Sequence, residues 1–269
     1  MKYYLYNPLA NNGIKLDVPG AEMIDATKTD YAAFFAGLAP EDEVVLVGGD
    51  GTINYLINHV DCDNLQNNVY LLGNGSGNDF LNDIGEKPGR EILLNKYLKN
   101  LPTARVNGKE WKYINNMSYG IDGYCCEVAD KIKAKTPGKK INYTSIAVKG
   151  LLFYFKPCHA EIEVDGVVRE FDNVWLAPAM KGRYCGGGMM LAPGQDRFSD
   201  QLTVMVYACR SKLKSLMNFP KIFEGKHVEL TDMTTIITGK KVHVKFSRPC
   251  AAQIDGETVL NVNEYWAEL

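Results

Sequence analysis

The pattern of apolar and polar positions divides the chain into two parts of different character. Up to residue 103, short apolar runs alternate with segments of helical periodicity, which is typical of an open α/β sheet. The runs at residues 2–6, 44–47 and 69–72 predict buried strands. From Ala104 onward alternating extended segments dominate, so we expect an α/β domain at residues 1–103 and a β-rich, sandwich-like domain from residue 104.

Periodicity and turn residues also predict individual elements. Helical spacing predicts helices over residues 29–38, 91–98, 121–135, 143–155 and 211–219. Alternation around turn residues predicts one hairpin over residues 160–171, turning at Asp165-Gly166, and another over residues 234–246, around Gly239. These elements place the candidate chemistry at strand ends and helix starts.

The strand at residues 44–47 runs directly into the sequence Gly48-Gly49-Asp50-Gly51-Thr52. Glycines lack a Cβ, so their backbone amides can approach a ligand closely. Helical spacing begins at Thr52, and the N-terminus of a helix attracts anions through its unpaired N–H groups and its dipole. The sequence therefore predicts a phosphate-binding loop.

Asp50 does not suit a simple phosphate loop, because a carboxylate repels phosphate. It is tolerable there if it helps to hold Mg²⁺ or accepts a proton. The alternative is a structural aspartate that caps the helix. The spacing matches neither the P-loop nor the dinucleotide-binding glycine pattern.

A second glycine loop, Gly73-Asn74-Gly75-Ser76-Gly77-Asn78-Asp79-Phe80, follows the strand at residues 69–72. Strand, helix and strand in succession predict a parallel pair with a crossover connection. Both loops then emerge at the carboxyl ends of neighbouring strands, where open α/β sheets bind their ligands.

Composition narrows the functional class mainly by exclusion. The 269 residues carry a net charge of −2, which gives no indication of nucleic-acid binding or of strong attraction to an anionic membrane. The seven cysteines lack a Cys-x-x-Cys pair and the four histidines are isolated, which argues against structural zinc. No apolar stretch reaches the roughly 18 residues of a spanning helix. We therefore expect a cytoplasmic protein with free thiols.

The two glycine loops resemble those of the catalytic domain of diacylglycerol and sphingosine kinases, above all the soluble bacterial lipid kinases of that family. The resemblance continues through residues 115–123, the triplet Gly186-Gly187-Gly188 with Ala192-Pro193, and Asp255-Gly256-Glu257. These blocks occur in the family's order and span nearly the whole chain. The first loop alone would also fit NAD kinases and phosphofructokinases, so the combination is what makes the resemblance specific.

The resemblance implies phosphoryl transfer from ATP, with Mg²⁺, to a hydroxyl of a diacylglycerol-like lipid. It implies an active site in the cleft between the domains, with residues 254–269 returning to the first domain. The nucleotide-binding residues that it implies are Asn7, Gly48, Gly49, Asp50, Gly51, Thr52, Asn74, Gly75, Ser76, Gly77, Asn78, Asp79 and Gly256.

The resemblance also implies roles for four acids. Asp50, Asp255 and Glu257 are the catalytic candidates: Asp50 or Asp255 accepts the hydroxyl proton, and Glu257 is linked to the metal or to the other acids. Asp122 is expected to contact the lipid head group. The implied partners are a lipid or another hydroxyl-bearing substrate, with peripheral contact at the inner membrane face and no nucleic acid. A homodimer is compatible with the resemblance.

Two stretches depart from the family pattern. The first nucleotide loop, which begins at Asn7, matches only loosely, and the helix that normally follows is missing or shortened to a turn. In residues 196–203, Ser199-Asp200 stands where the family has an Asp-Gly that helps to hold a structural Mg²⁺. We expect that metal to be absent, or to be shifted to Asp200 or Asp196.

Several alternatives stay open. Asp122 can simply cap a helix, and Asp255-Gly256 can be a plain hairpin turn. Residues 189–191 and the helix at 143–155 can line an acceptor pocket or belong to the core. Two functional alternatives also remain: an NAD-kinase-like enzyme, and a nucleotide-binding protein of this fold that has lost turnover.

Overall fold

A computed structural model describes residues 1–8, 18, 20–75, 77–136 and 141–269 of the chain. The protein divides into two compact units, Met1–Leu101 and Pro102–Leu269. Within the described ranges, no helix combines the length and the apolar character needed to cross a membrane.

The first unit is an α/β sheet. Its strands are β1 (Lys2–Tyr6), β2 (Glu22–Asp25), β3 (Glu43–Gly48), β4 (Asn68–Gly73) and β5 (Glu91–Leu93), and its helices are α1 (Tyr31–Ala36), α2 (Asp50–His59) and α3 (Asp79–Ile84). The sheet has the order β2-β1-β3-β4-β5. Strands β1 to β4 are parallel and β5 is antiparallel to β4. The predicted strand–helix–strand crossover is confirmed by β3, α2 and β4.

Burial explains why this unit forms. The apolar run of β3, residues 44–47, is buried on both faces of the sheet. Ile53, Leu56 and Ile57 form the buried face of α2. The register sets Gly48 opposite Gly73, so both glycine loops leave the same edge of the sheet.

The second unit is dominated by strands. They are β6 (Thr103–Val106), β7 (Lys109–Lys112), β8 (Asn116–Tyr119), β9 (Cys158–Val164), β10 (Val167–Leu176), β11 (Ala179–Met180), β12 (Tyr184–Cys185), β13 (Met189–Met190), β14 (Leu202–Ala208), β15 (Thr234–Gly239), β16 (Lys241–Ile254) and β17 (Glu257–Glu268). Three helices accompany them: α4 (Ile121–Lys135), α5 (Tyr143–Lys149) and α6 (Lys212–Asn218). Residues Gly150–Tyr154 extend α5 as a π turn.

The long strand β16 organises the second sheet, whose order is β7-β6-β17-β16-β8-β11-β14-β10-β9. It pairs with β17 and β8, and its first part pairs with β9, which closes the sheet on itself. Residues 254–269 were expected to return to the first domain, but they lie in the second unit. The reason is that β17 is paired along its length with β16 and also with β6.

Two predicted elements are wrong. Residues 91–98 form β5 and a short 3₁₀ turn instead of a helix, because pairing with the exposed edge of β4 overrides the helical spacing. The predicted hairpin over residues 234–246 does not form, since β15 pairs with β14 and β16 with β9. At the connection, a Cβ on Gly239 would lie 2.3 Å from Val164 Cγ1, so the chain turns there in close contact with β9.

Candidate active site

The two glycine loops of the first unit touch through their backbones. Asn74 N donates to Gly48 O at 2.7 Å. A Cβ added to Gly49 would lie 2.8 Å from Gly75 Cα, closer than real Cβ contacts come. Glycine at both positions is therefore what allows the loops to approach each other. The approach forms a surface of backbone at the edge of the parallel sheet, beside the start of α2.

Asp50 connects the two loops. Its carboxylate accepts hydrogen bonds from Asp79 N at 3.0 Å and Phe80 N at 2.8 Å, so it holds the N-terminus of α3. Gly49 is the N-cap of α2 and makes no side-chain capping bond. Asp50 therefore does not cap its own helix. Its observed contacts position the second loop against the first.

Asn78 supplies an unsatisfied acceptor in this region. It adopts the left-handed conformation, with φ of 53°, immediately before α3. Its Oδ1 is buried and accepts no hydrogen bond from the described residues. A buried acceptor without a partner is uncommon in folded proteins. An amide oxygen can be completed only by a hydrogen-bond donor, such as a water molecule, or by a cation. It therefore marks a polar position beside the two loops but would not itself bind a phosphate oxygen, which is also an acceptor.

The other nucleotide-binding candidates lie around these contacts. A Cβ on Gly48 would collide with Thr52 Oγ1, so the Thr52 side chain packs directly over Gly48. Gly51 is exposed in the first turn of α2 and Gly77 is half-buried in the second loop. Asn7 ends β1 and is half-buried. The prediction for Ser76 and the predicted course of the first nucleotide loop at residues 9–17 lie outside the described residues.

Asp255 occupies the turn between β16 and β17, with positive φ at both Asp255 and Gly256. The plain hairpin geometry is therefore present. In addition, the buried carboxylate accepts three backbone hydrogen bonds, from Ile114 N at 2.7 Å, Asn115 N at 2.8 Å and Asn116 N at 3.0 Å. These bonds anchor the segment that leads into β8. They are the contacts of a positioning residue rather than of a carboxylate open to a substrate proton.

A buried polar network lies next to this turn. Gln253 Oε1 accepts from Gly256 N at 2.7 Å, and its Nε2 donates to Asn116 Oδ1 and, at 3.2 Å, to Asp122 Oδ2. Our sequence reasoning missed Gln253. It is a polar residue at a buried position of an otherwise apolar strand end, Ala251-Ala252-Gln253-Ile254, and that was the available signal.

Asp122 is a desolvated acid that belongs to this hydrogen-bonded network. It lies in the first turn of α4, after the N-cap Gly120, and its Oδ1 accepts from Gly123 N of the same turn at 2.9 Å. Burial raises the pKa of Asp122, against the opposing effect of hydrogen bonds from Gln253 and Gly123 N. A carboxyl with a raised pKa is a better proton acceptor than an ordinary aspartate.

Glu257 begins β17, and its side chain is exposed. Desolvation by the surrounding chain, followed by the charge of Asp130, raises the pKa of Glu257. Within the described residues, no three His, Cys, Asp or Glu side chains are grouped closely enough to hold a metal ion.

Basic side chains lie within or against residues 196–203, the segment expected to hold a shifted metal. Asp200 is exposed and pairs with Lys240 at 2.6 Å, so its carboxylate is already neutralised. Buried Arg197 donates to Ile114 O at 2.5 Å and to Asn115 Oδ1 at 2.8 Å. Buried Lys181 donates to Ser199 O at 3.0 Å, and burial together with the charge of Arg197 lowers the pKa of Lys181. These residues do not fit a structural Mg²⁺, which the two cations would repel.

The suggested walls of an acceptor pocket belong mainly to the core. Leu151, Phe155 and Leu191 are buried in one cluster with Trp175. Half-buried Met189 and Met190 form β13, which pairs with β12. A pocket of about 290 Å³ opens beside the end of the 143–155 segment; its walls include Tyr124, Glu127, Tyr154, Phe155, Arg248 and Cys250.

The fold and the glycine-loop site define a class: kinases in which an α/β catalytic domain precedes a β-sandwich-like domain. The family model of the diacylglycerol kinase catalytic domain matches residues 10–104. The model of the YegS C-terminal NAD kinase beta sandwich-like domain matches residues 115–264. The chain belongs to the diacylglycerol kinase family, and the predicted family, fold class and kinase class are confirmed.

Relatives from several bacteria agree with this assignment. A diacylglycerol kinase of Mycobacterium tuberculosis is 25% identical over 246 residues, which cover 88% of this chain and 77% of that protein. One from Bacillus subtilis is 25% identical over 244 residues, covering 87% and 76%. The crystal structure of a diacylglycerol kinase from Bacillus anthracis superposes with a TM-score of 0.66 at 20% identity, covering 99% of this chain and 93% of that one. The structural likeness shows the shared fold.

Proposed function

We propose that the protein transfers the γ-phosphate of ATP to a hydroxyl of a diacylglycerol-like lipid, with Mg²⁺ carried by the nucleotide. The observation that carries this proposal is the contact between the two glycine loops at the start of α2. Backbone N–H groups of such loops and of a helix N-terminus suit the phosphates of a nucleotide. Mg²⁺ bound to ATP keeps several waters and needs few protein ligands, so it does not require a protein-built metal cluster.

In this proposal the acids divide into two kinds. Asp50 and Asp255 position the chain, because their carboxylates accept backbone N–H groups. Asp122 and Glu257 carry raised pKa values and are the proton-accepting candidates. We assign the general base to Asp122, since Gln253 orients its carboxylate at 3.2 Å. Catalysis of phosphoryl transfer otherwise consists of positioning and charge neutralisation.

Labelled ATP tests the reaction and its acceptor together. The purified protein is incubated with Mg-ATP and, in parallel, with diacylglycerol, a sphingoid base, ceramide, NAD and a soluble polyol. We expect label in diacylglycerol or a related lipid. Transfer to the polyol alone would refute the lipid part of the proposal, and transfer to NAD alone would favour an NAD kinase. ATP binding without any transfer would favour a protein that has lost turnover.

Substitution at the loop contact tests the nucleotide site. Gly49→Ala places a Cβ 2.8 Å from Gly75 Cα, so the loops must separate and ATP affinity should fall at least about tenfold. Gly37→Ala is the matched control, because its Cβ makes only ordinary contacts at 3.5 Å. Wild-type affinity in a folded Gly49→Ala protein, measured by calorimetry, would show that the phosphates bind elsewhere.

A further inference from the structure

Four large apolar side chains of the second unit project into solvent on two segments. Phe153 and Tyr154, in the π turn, are 70% and 69% exposed. Leu213 and Met217, one turn apart on α6, are 66% and 72% exposed. Burying such side chains is favourable, so a group of them left exposed is typical of an interaction surface.

The two segments are neighbours. Lys212 Nζ at the start of α6 donates to Leu152 O in the π turn at 2.8 Å. The inward-facing side chains Leu151, Leu152 and Leu216 all pack on the same core cluster. The two segments are therefore adjacent at the surface. We call the exposed side chains Phe153, Tyr154, Leu213 and Met217, with the basic residues in 149–156 and 210–221, the docking face.

The docking face is strongly basic, although the whole chain carries a net charge of −2. Residues 149–156 and 210–221 contain no Asp or Glu; their basic residues are Lys149, Lys156, Arg210, Lys212, Lys214 and Lys221. Lys149, Lys156 and Lys221 are exposed. The neighbouring acids Glu224 and Asp232 pair with Lys226 and Lys214, so they leave most of this positive charge in place.

We propose that the docking face seats the protein on an anionic phospholipid bilayer. Aromatic and long apolar side chains that emerge between lysines suit the boundary between head groups and acyl chains. Each lysine near such a surface adds electrostatic attraction. The inference deepens the proposed function, since it gives a lipid kinase its means of reaching an acceptor held in a membrane. It also replaces the expectation, based on net charge, that any membrane attraction is weak.

A second copy of the chain fits this face less well. In a two-fold symmetric dimer the same patch meets itself, so the lysines of both copies would be brought together. Like charges placed opposite each other at an interface are unfavourable. The charge pattern therefore favours an anionic partner, and a bilayer is the one whose interior also accepts the four apolar side chains.

Sedimentation with vesicles tests the proposal without ATP. The full-length protein is mixed with vesicles of phosphatidylcholine alone, or with about a third of phosphatidylglycerol, at low and high salt. We expect binding to the anionic vesicles, weakened by salt. The combined variant Phe153→Ser, Tyr154→Ser, Leu213→Ser and Met217→Ser should bind at least about tenfold more weakly. Lys156→Gln with Lys221→Gln should reduce binding roughly fivefold per lysine.

Matched controls use exposed residues outside the docking face. Val167→Ser with Val168→Ser removes exposed apolar surface from the β9–β10 hairpin, and Lys109→Gln with Lys245→Gln removes exposed charge. Both should bind vesicles like the wild type. Thermal unfolding confirms that each variant is folded.

The outcomes separate the docking face from the proposed activity. Three outcomes would refute the docking face. The wild type and the four-residue variant bind vesicles equally, the wild type does not bind vesicles at all, or the variant loses only self-association. If the four-residue variant phosphorylates a short-chain, water-soluble diacylglycerol as the wild type does but loses activity on vesicles, both proposals are supported. Vesicle binding without phosphorylation of any lipid would refute the kinase proposal and leave the docking face intact.

Discussion

Asp255 shows how one carboxylate can organise a buried turn. Its three backbone partners, residues 114–116, lie about 140 positions earlier in the chain, with separations of 139 to 141 residues. Removal of this carboxylate should lower the stability of the fold, because a buried N–H group without an acceptor is destabilising.

Asp255→Asn should therefore lower the free energy of unfolding by about 1–3 kcal/mol, since the amide replaces one acceptor oxygen with a donor. Urea unfolding measures the change. The matched control is Asp165→Asn in the other Asp-Gly turn, where the carboxylate also accepts backbone bonds from Lys240 and Lys241 but is exposed to water. A change no larger than that of the control would mean that the three bonds contribute little.

Asp122 carries a second prediction, on pH. Because burial raises its folded-state pKa above the ordinary 3.8, the native protein binds a proton more readily than the unfolded chain. This contribution to stability falls as pH rises from about 3.8 through the raised pKa, and ionised Asp122 is unfavourable above it. Asp122→Asn should therefore be more stable than the wild type at neutral pH, and the difference should vanish below the ordinary pKa.

The same substitution tests the assigned general base. Turnover should fall about 10²-fold or more. If Asp122 is the base, the wild-type rate rises with pH as its carboxyl ionises, and this rise should be absent from the variant. Glu170→Gln, at an exposed position of β10, is the control for both measurements. An unchanged pH–rate profile in Asp122→Asn would remove Asp122 from the proton-transfer step.

At the scale of elements, two basic side chains fix residues 197–199, which lie before β14, by hydrogen bonds. Arg197 donates to residues 114–115, and Lys181 donates to Ser199. The backbone N–H groups of residues 114–116 also donate to the Asp255 carboxylate. Residues 114–116, which lead into β8, are thus bonded both to a buried carboxylate and to a buried guanidinium.

Arg197→Met should lower the free energy of unfolding by about 1.5–3 kcal/mol, the range for hydrogen bonds to charged groups. Arg169→Met, at an exposed position of β10, should have little effect. EDTA should leave the melting temperature of the wild-type protein unchanged. A decrease with EDTA that Mg²⁺ reverses would show a structural metal after all.

At the scale of the whole molecule, the two units divide the recognition tasks. The first unit carries the glycine-loop contact, and the second carries the Asp122–Gln253 network and the docking face. Binding of ATP should therefore protect one unit more than the other.

Mg-ATP at about 100 times its dissociation constant should stabilise the protein against urea by about 2.7 kcal/mol. Hydrogen exchange should show the strongest gain in protection at residues 48–51 and 77–78, which border the proposed phosphate site. Mg-AMP, which lacks the transferred phosphate, serves as the comparison. Protection confined to the second unit would contradict the proposed nucleotide site.

The sequence by itself determined the parallel strands, the crossover helix α2 and the two loops at one sheet edge. These features depend on neighbouring residues: apolar runs make strands, glycines end them, and helical spacing follows within a few positions. The same local information, read with the remaining motifs, was sufficient for the family. It was also sufficient for the Asp-Gly turn at Asp255, whose backbone geometry is local.

Only the tertiary structure decided what the site acids contact. Asp255, Asp122 and Gln253 bond to segments that are distant in sequence, and such pairings depend on which strands become neighbours. Strand pairing likewise made residues 91–93 an edge strand in place of the start of a helix. The docking face was hidden because a net charge averages over the chain, whereas residues 149–156 and 210–221 combine their lysines only once folding sets them side by side.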